Sequence, residues 1–153
     1  MVASSSTPDP AAWTSSPHMV HPAHARLLGR WTPSRAADVT AGRRQLSAML
    51  TDGEQATEAA VERCVLVFEE LVSNAVRHGR PPVEVVVAAT GDCWLLTVVD
   101  AAEHVPPVPD PGRDAALGGL GLALVARLSS SYGTEPLGDG SKVVWALVDH
   151  RLS

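Results

Sequence analysis

From about Gln55 to His78, apolar residues recur at the spacing of one helix face. Val61, Cys64, Phe68, Leu71 and Ala75 form a stripe, with Val65, Val72 and Val76 alongside, and those positions must be buried. Gly79 is placed to end the helix in a left-handed conformation, and Pro81-Pro82 prevent it from continuing. A second row runs through Val67, Glu70, Asn74 and His78, at the margin of the stripe, and turns polar towards the C-terminal end. Polar residues at the edge of a core suggest a lined cavity more than an arbitrary surface. The rest of the chain has to supply something for this helix to pack on.

The flanking segments read as an α+β arrangement. Ala25 to Trp31 reads as a strand, and Thr32-Pro33-Ser34 opens a helix to about Leu50, with Thr32 or Ser34 as its N-cap. Thr51-Asp52-Gly53 breaks that helix before the long one begins. Val83–Ala89 and Trp94–Asp100 are β-branched runs joined by Thr90-Gly91-Asp92-Cys93, which predicts an antiparallel hairpin. A proline-rich stretch, Ala101–Ala116, can be neither helix nor ladder strand and has the length of a functional lid. Gly118-Gly119-Leu120-Gly121 opens a helix to about Ser130, and Lys142–Val148 closes the chain as a strand. The expected architecture is a two-layer sandwich: a mostly antiparallel, mixed sheet with helices on one face.

With 153 residues there is room for one domain, and 45% hydrophobic with 19% charged residues is the balance of a globular protein with a core. Residues 1–23, rich in Ser, Pro, Ala and Thr, read as a disordered tail, leaving 24–150 as the domain. His18, His21 and His24 lie in or beside that tail, but Pro17 and Pro22 break the helix that would align them as metal ligands. A net charge of -5 gives no electrostatic footprint for nucleic acid or an anionic membrane. No run approaches the roughly 20 apolar residues of a membrane span, and the N-terminus has no signal-peptide pattern, so a cytoplasmic location is expected. Cys64 and Cys93 read as reduced, packed thiols.

Three groups of residues could carry chemistry. Glu70 and Asn74, the only asparagine, lie one helical turn apart. Magnesium takes oxygen ligands and keeps several waters, so one carboxamide oxygen suits it, while a carboxylate one turn earlier can act as a general base. Glu-x-x-x-Asn alone is also an ordinary polar helix face. Asp100, at a strand end, can accept a hydrogen bond from an exocyclic amine such as that of adenine, or can simply be a turn aspartate. Gly118-Gly119-Leu120-Gly121-Leu122 lets backbone N–H groups and a helix N-terminus approach phosphates. It is not a P-loop, because no Gly-Lys-Ser/Thr follows and the sole lysine is Lys142. It is not a dinucleotide fingerprint either, because no strand precedes it.

The order of these groups resembles the GHKL nucleotide-binding superfamily of gyrase B, heat-shock chaperone and histidine-kinase ATPase domains. Within it the chain looks most like small stand-alone anti-sigma-factor serine kinases of the RsbW type, over about residues 25–149. The resemblance implies a Bergerat-type ATP-binding fold with ATP and Mg2+ as cofactors. It implies Glu70 as general base, Asn74 as the magnesium ligand and His78 near the phosphates or capping the helix. Asp100 becomes the adenine-binding aspartate, Gly119, Leu120, Gly121 and Leu122 the phosphate-side loop, and Ser141 the counterpart of a threonine that helps bind adenine. Two positions depart from the family pattern. Ala102 replaces a glycine, and Leu120 replaces an arginine for which Arg113 is the best substitute.

The implied function is a serine/threonine kinase that phosphorylates an anti-sigma-factor antagonist (STAS-type) protein and otherwise sequesters a sigma factor. The two departures motivate an alternative, a non-catalytic regulator gated by ATP or ADP. A homodimer through the first strand and helix is also implied. A histidine-kinase ATPase half acting in trans is disfavoured, because no phosphoacceptor helix pair is evident.

Overall fold

The computed structural model describes residues 25–53, 56–103 and 121–151. In chain order the elements are β1 (Arg26–Trp31), α1 (Ala36–Gly53), α2 (Glu58–His78), β2 (Glu84–Thr90), β3 (Cys93–Asp100), α3 (Gly121–Leu128), β4 (Ser131–Pro136) and β5 (Lys142–Asp149). The strands lie in the order β1-β2-β3-β5-β4, and each neighbouring pair is antiparallel. The tail, the tail histidines and most of the proline-rich segment, including Arg113, Gly119 and Leu120, lie outside the described residues.

Strand alternation sorts the apolar side chains into two layers. Val85, Val87, Trp94, Leu96, Val98, Val144, Ala146 and Val148 share one core with the buried faces of the three helices. Leu95, Val143 and Trp145 form a second cluster on the opposite face of the sheet. The stripe on α2 is buried as its period required: Val61, Cys64, Phe68, Leu71 and Ala75 are all in the core. Phe68 packs edge-on to Trp31 at 5.2 Å and so ties α2 to β1. Gly42 lets α1 approach the same ring, since a Cβ there would stand 3.0 Å from Phe68 Cζ.

The ends of the helices differ from the sequence expectation for local reasons. α1 continues through Thr51-Asp52-Gly53 instead of stopping at Leu50, and the Thr51 hydroxyl donates back to Ser47 O at 2.7 Å. Its N-terminus is held not by Thr32 or Ser34 but by Asp38, whose carboxylate accepts from Ser34 N at 2.9 Å and Arg35 N at 3.2 Å. That is the reciprocal half of a capping box. α2 starts at Glu58, capped by Thr57, whose hydroxyl accepts from Ala60 N at 3.1 Å.

Gly79 caps α2 with φ -82°, ψ -172°, not in the left-handed conformation. β4 was not anticipated, because Ser-Tyr-Gly-Thr-Glu-Pro has no apolar alternation. It lies at the edge of the sheet, where a terminal Pro136 is tolerated.

Candidate functional site

The C-terminal half of α2 runs past two carboxylates. Glu70 belongs to the helix itself. It is half-buried and points at the first residue of α3, because a Cβ built on Gly121 would collide with Glu70 Oε2 and stand 3.0 Å from its Cδ. A side chain at position 121 would have to displace the end of Glu70. Burial pushes the Glu70 carboxyl above the ordinary carboxylate range. The charge of Glu69 pushes it further the same way, and Arg77 opposes both. Asn74 follows one turn later and is half-buried, and His78 is exposed on the last turn.

The second carboxylate, Asp100, ends β3 and is 1% exposed. It is pressed against Gly79, where a Cβ would be 2.7 Å from both its Cγ and its Oδ2. The glycine after His78 is therefore required by the approach of Asp100 and not by a left-handed cap. From position 70 to position 79 the helix advances about 13 Å at 1.5 Å per residue, so α2 sets the spacing between the two carboxylates. Ala101 N donates to Arg80 O at 2.9 Å and holds the end of β3 to the end of α2.

Ala102, buried, donates its N–H to Asp100 Oδ1 at 2.8 Å. The ammonium of Lys142 lies 3.1 Å from Oδ1 and 3.0 Å from Oδ2, and donates to Ala102 O at 3.3 Å. Ser141 is not the strand partner of Asp100. In the β3–β5 register the residue opposite Asp100 is Lys142, while the Ser141 hydroxyl donates to Asp139 in the preceding turn. Sequence reasoning considered Lys142 only in excluding a P-loop and assigned it no role. The signal that would have found it is the strand register, which a one-residue slip inverts.

Gly121 and Leu122 are buried at the start of α3. The structure therefore brings Glu70 together with Gly121, and Asp100 with Gly79, Ala102 and Lys142. Among the described residues no group of three or more His, Cys, Asp or Glu could hold a metal ion.

Residues 32–147 match the model of the histidine kinase-like ATPase domain. The chain belongs to this family. No curated protein matches the chain. Among solved structures, the RsbU and RsbW domains of Rv1364c from Mycobacterium tuberculosis superpose with a TM-score of 0.57 at 21% identity. The match covers 77% of this chain and 30% of that one, so this chain corresponds to less than a third of that protein's length. The SiaB–SiaC complex from Pseudomonas aeruginosa gives a TM-score of 0.54 at 18% identity, covering 80% of this chain and 91% of that one. At these identities the likeness is one of fold.

Histidine kinase-like ATPase domains carry the expectation of ATP binding, and two local features of this chain suit a nucleotide. At one end the helix start at Gly121 faces Glu70, with Asn74 one turn further along α2. At the other end of the site is a buried carboxylate, Asp100, engaged by Lys142. No helix among the described residues is long and apolar enough to cross a membrane.

Proposed function

We propose that the chain is an ATP- and magnesium-dependent serine/threonine protein kinase. It phosphorylates a small STAS-type antagonist protein and sequesters a sigma factor when free of that antagonist. The observation that carries the reading is the Glu70 carboxylate, half-buried against Gly121 with its proton affinity raised by that burial. A general base works best when its pKa is lifted towards the operating pH, and it must lie beside the group it deprotonates.

Transfer would form a bond from the serine oxygen to the γ-phosphorus, break the bond to the β-phosphate oxygen and release ADP. Glu70 takes the serine proton. Asn74 would hold magnesium, which supplies charge neutralisation on the phosphates. The N–H groups at the start of α3 would donate to phosphate oxygens. Asp100 would accept from the adenine amine, with Gly79 and Ala102 fixing its orientation. The SiaB–SiaC complex, a structure of the same fold with a second protein, supports a protein partner for this reading.

The test is transfer of labelled phosphate from ATP to a candidate antagonist, comparing the wild type with Glu70→Ala and Asn74→Ala. Labelling by the wild type that falls by at least about a hundredfold in Glu70→Ala is expected of a lost general base. Equal labelling by the two proteins sinks the kinase assignment.

Occupation of Asp100 by Lys142 favours one other reading, a nucleotide-gated binding regulator without transfer. ATP binding that changes partner affinity, with no labelled partner, would select it.

A further inference from the structure

Asp100 and Lys142 face each other across β3 and β5 and are 1% and 4% exposed. A carboxylate offers about four acceptor directions. Oδ1 receives the Ala102 N–H at 2.8 Å and the Lys142 ammonium at 3.1 Å. Oδ2 receives the same ammonium at 3.0 Å and lies so near Gly79 that a Cβ there would be 2.7 Å away. The ammonium is anchored again by Ala102 O at 3.3 Å. Among the described residues, three donor contacts therefore already engage Asp100, two of them from the one ammonium. A neutral amine aimed at this carboxylate meets a full positive charge already in place, and the charged donor makes the stronger hydrogen bond.

We propose that Lys142 is an internal competitor for the adenine amine: its ammonium stands where the exocyclic amine of adenine would bind, so an adenine nucleotide gains Asp100 only as Lys142 leaves it. The proposal deepens the functional reading above and rests on Asp100 being the base acceptor. It makes Lys142 the residue that sets nucleotide affinity. It also explains how a single lysine can be buried at the end of β5, since its charge is matched by Asp100 until ligand arrives.

Isothermal titration with ATP and with inosine triphosphate, at fixed magnesium, tests it on wild type, Lys142→Met, Lys142→Gln and Lys142→Arg. Inosine carries a carbonyl where adenine carries the amine, so it cannot use a freed Asp100 in the same way. Affinity for ATP should rise in the order Arg, Lys, Gln, Met, with Met at least about tenfold tighter than wild type, the scale of one hydrogen bond to a charged group. Inosine triphosphate affinity should stay within about twofold. The Gln variant keeps a donor to Asp100, so the Arg–Lys–Gln series decides the matter even if Lys142→Met fails to fold.

ATP binding that is unchanged or weaker in the Gln and Met variants overturns the proposal while leaving nucleotide binding by the wild type standing. An equal gain for both nucleotides overturns it too, because it would point to a general loosening of the pocket. No binding of either nucleotide by any variant sinks the functional reading and this inference together.

Discussion

Two glycines that read alike in the sequence do different work at the residue scale. Gly79 faces backbone and a held carboxylate: its missing Cβ would be 2.7 Å from Ala75 O and from Asp100 Oδ2. Neither neighbour can give way easily, so Gly79→Ala should cost about 1–3 kcal/mol, as overpacking does, measured by urea denaturation. Gly121 faces the mobile end of Glu70. Gly121→Ala should therefore leave stability nearly unchanged while displacing the carboxylate and reducing phosphate transfer. If both variants lose stability equally, the end of Glu70 is not free to move. Glu70 itself gives a pH test. Its folded-state pKa is raised, chiefly by burial, so the folded protein favours the protonated form. The stability this contributes is complete below the unfolded pKa, about 4.3, and is lost as pH rises through the folded value. Glu70→Gln should raise the melting temperature at neutral pH, and that gain should vanish near pH 4. A gain that persists unchanged at pH 4 would show that the Glu70 charge is not its source. These residue types were legible in the sequence, but their neighbours were not: Gly79 read as a cap, and contact with Asp100 is what requires it.

The elements were legible where periodicity was strong. α2 and the β2–β3 hairpin follow directly from the apolar spacing and the short turn. β4 was invisible because an edge strand needs little apolar alternation, and its pairing comes from β5 and not from its own composition. The start of α2 was misjudged by about three residues, because the cap depends on a single hydroxyl and not on the pattern. That hydroxyl can be weighed. Thr57→Ala removes the acceptor for Ala60 N and should lower stability by about 1 kcal/mol, whereas Thr57→Ser should cost much less. Chemical denaturation of the three proteins would check it. Equal losses in both variants would mean that the Thr57 methyl, and not its oxygen, stabilises the helix start.

At the scale of the whole molecule, the sheet register joins two segments that the sequence keeps 42 positions apart, Asp100 and Lys142. Order along the chain was enough to suggest an ATP pocket, but only the β3–β5 pairing shows that Asp100, the proposed base acceptor, has a resident partner. This separates two effects in a thermal-shift experiment. A ligand that binds only the folded state adds about 2.7 kcal/mol at a hundredfold excess over its Kd, or roughly 10 °C for a domain of this size. The wild type with ATP and magnesium should approach that shift once the concentration overcomes Lys142. Asp100→Asn should behave differently in both respects. Without ligand it strands a buried ammonium, and removing one member of a buried pair costs about 3–5 kcal/mol, so its melting temperature should fall. With ATP it should gain far less than the wild type, because the amide no longer favours the adenine amine. Adding Lys142→Met to Asp100→Asn removes the stranded charge, so the double variant should recover much of the ligand-free stability but not the ATP response. If the double variant responds to ATP as fully as the wild type does, the base is read elsewhere and the Asp100–Lys142 pair serves the fold alone.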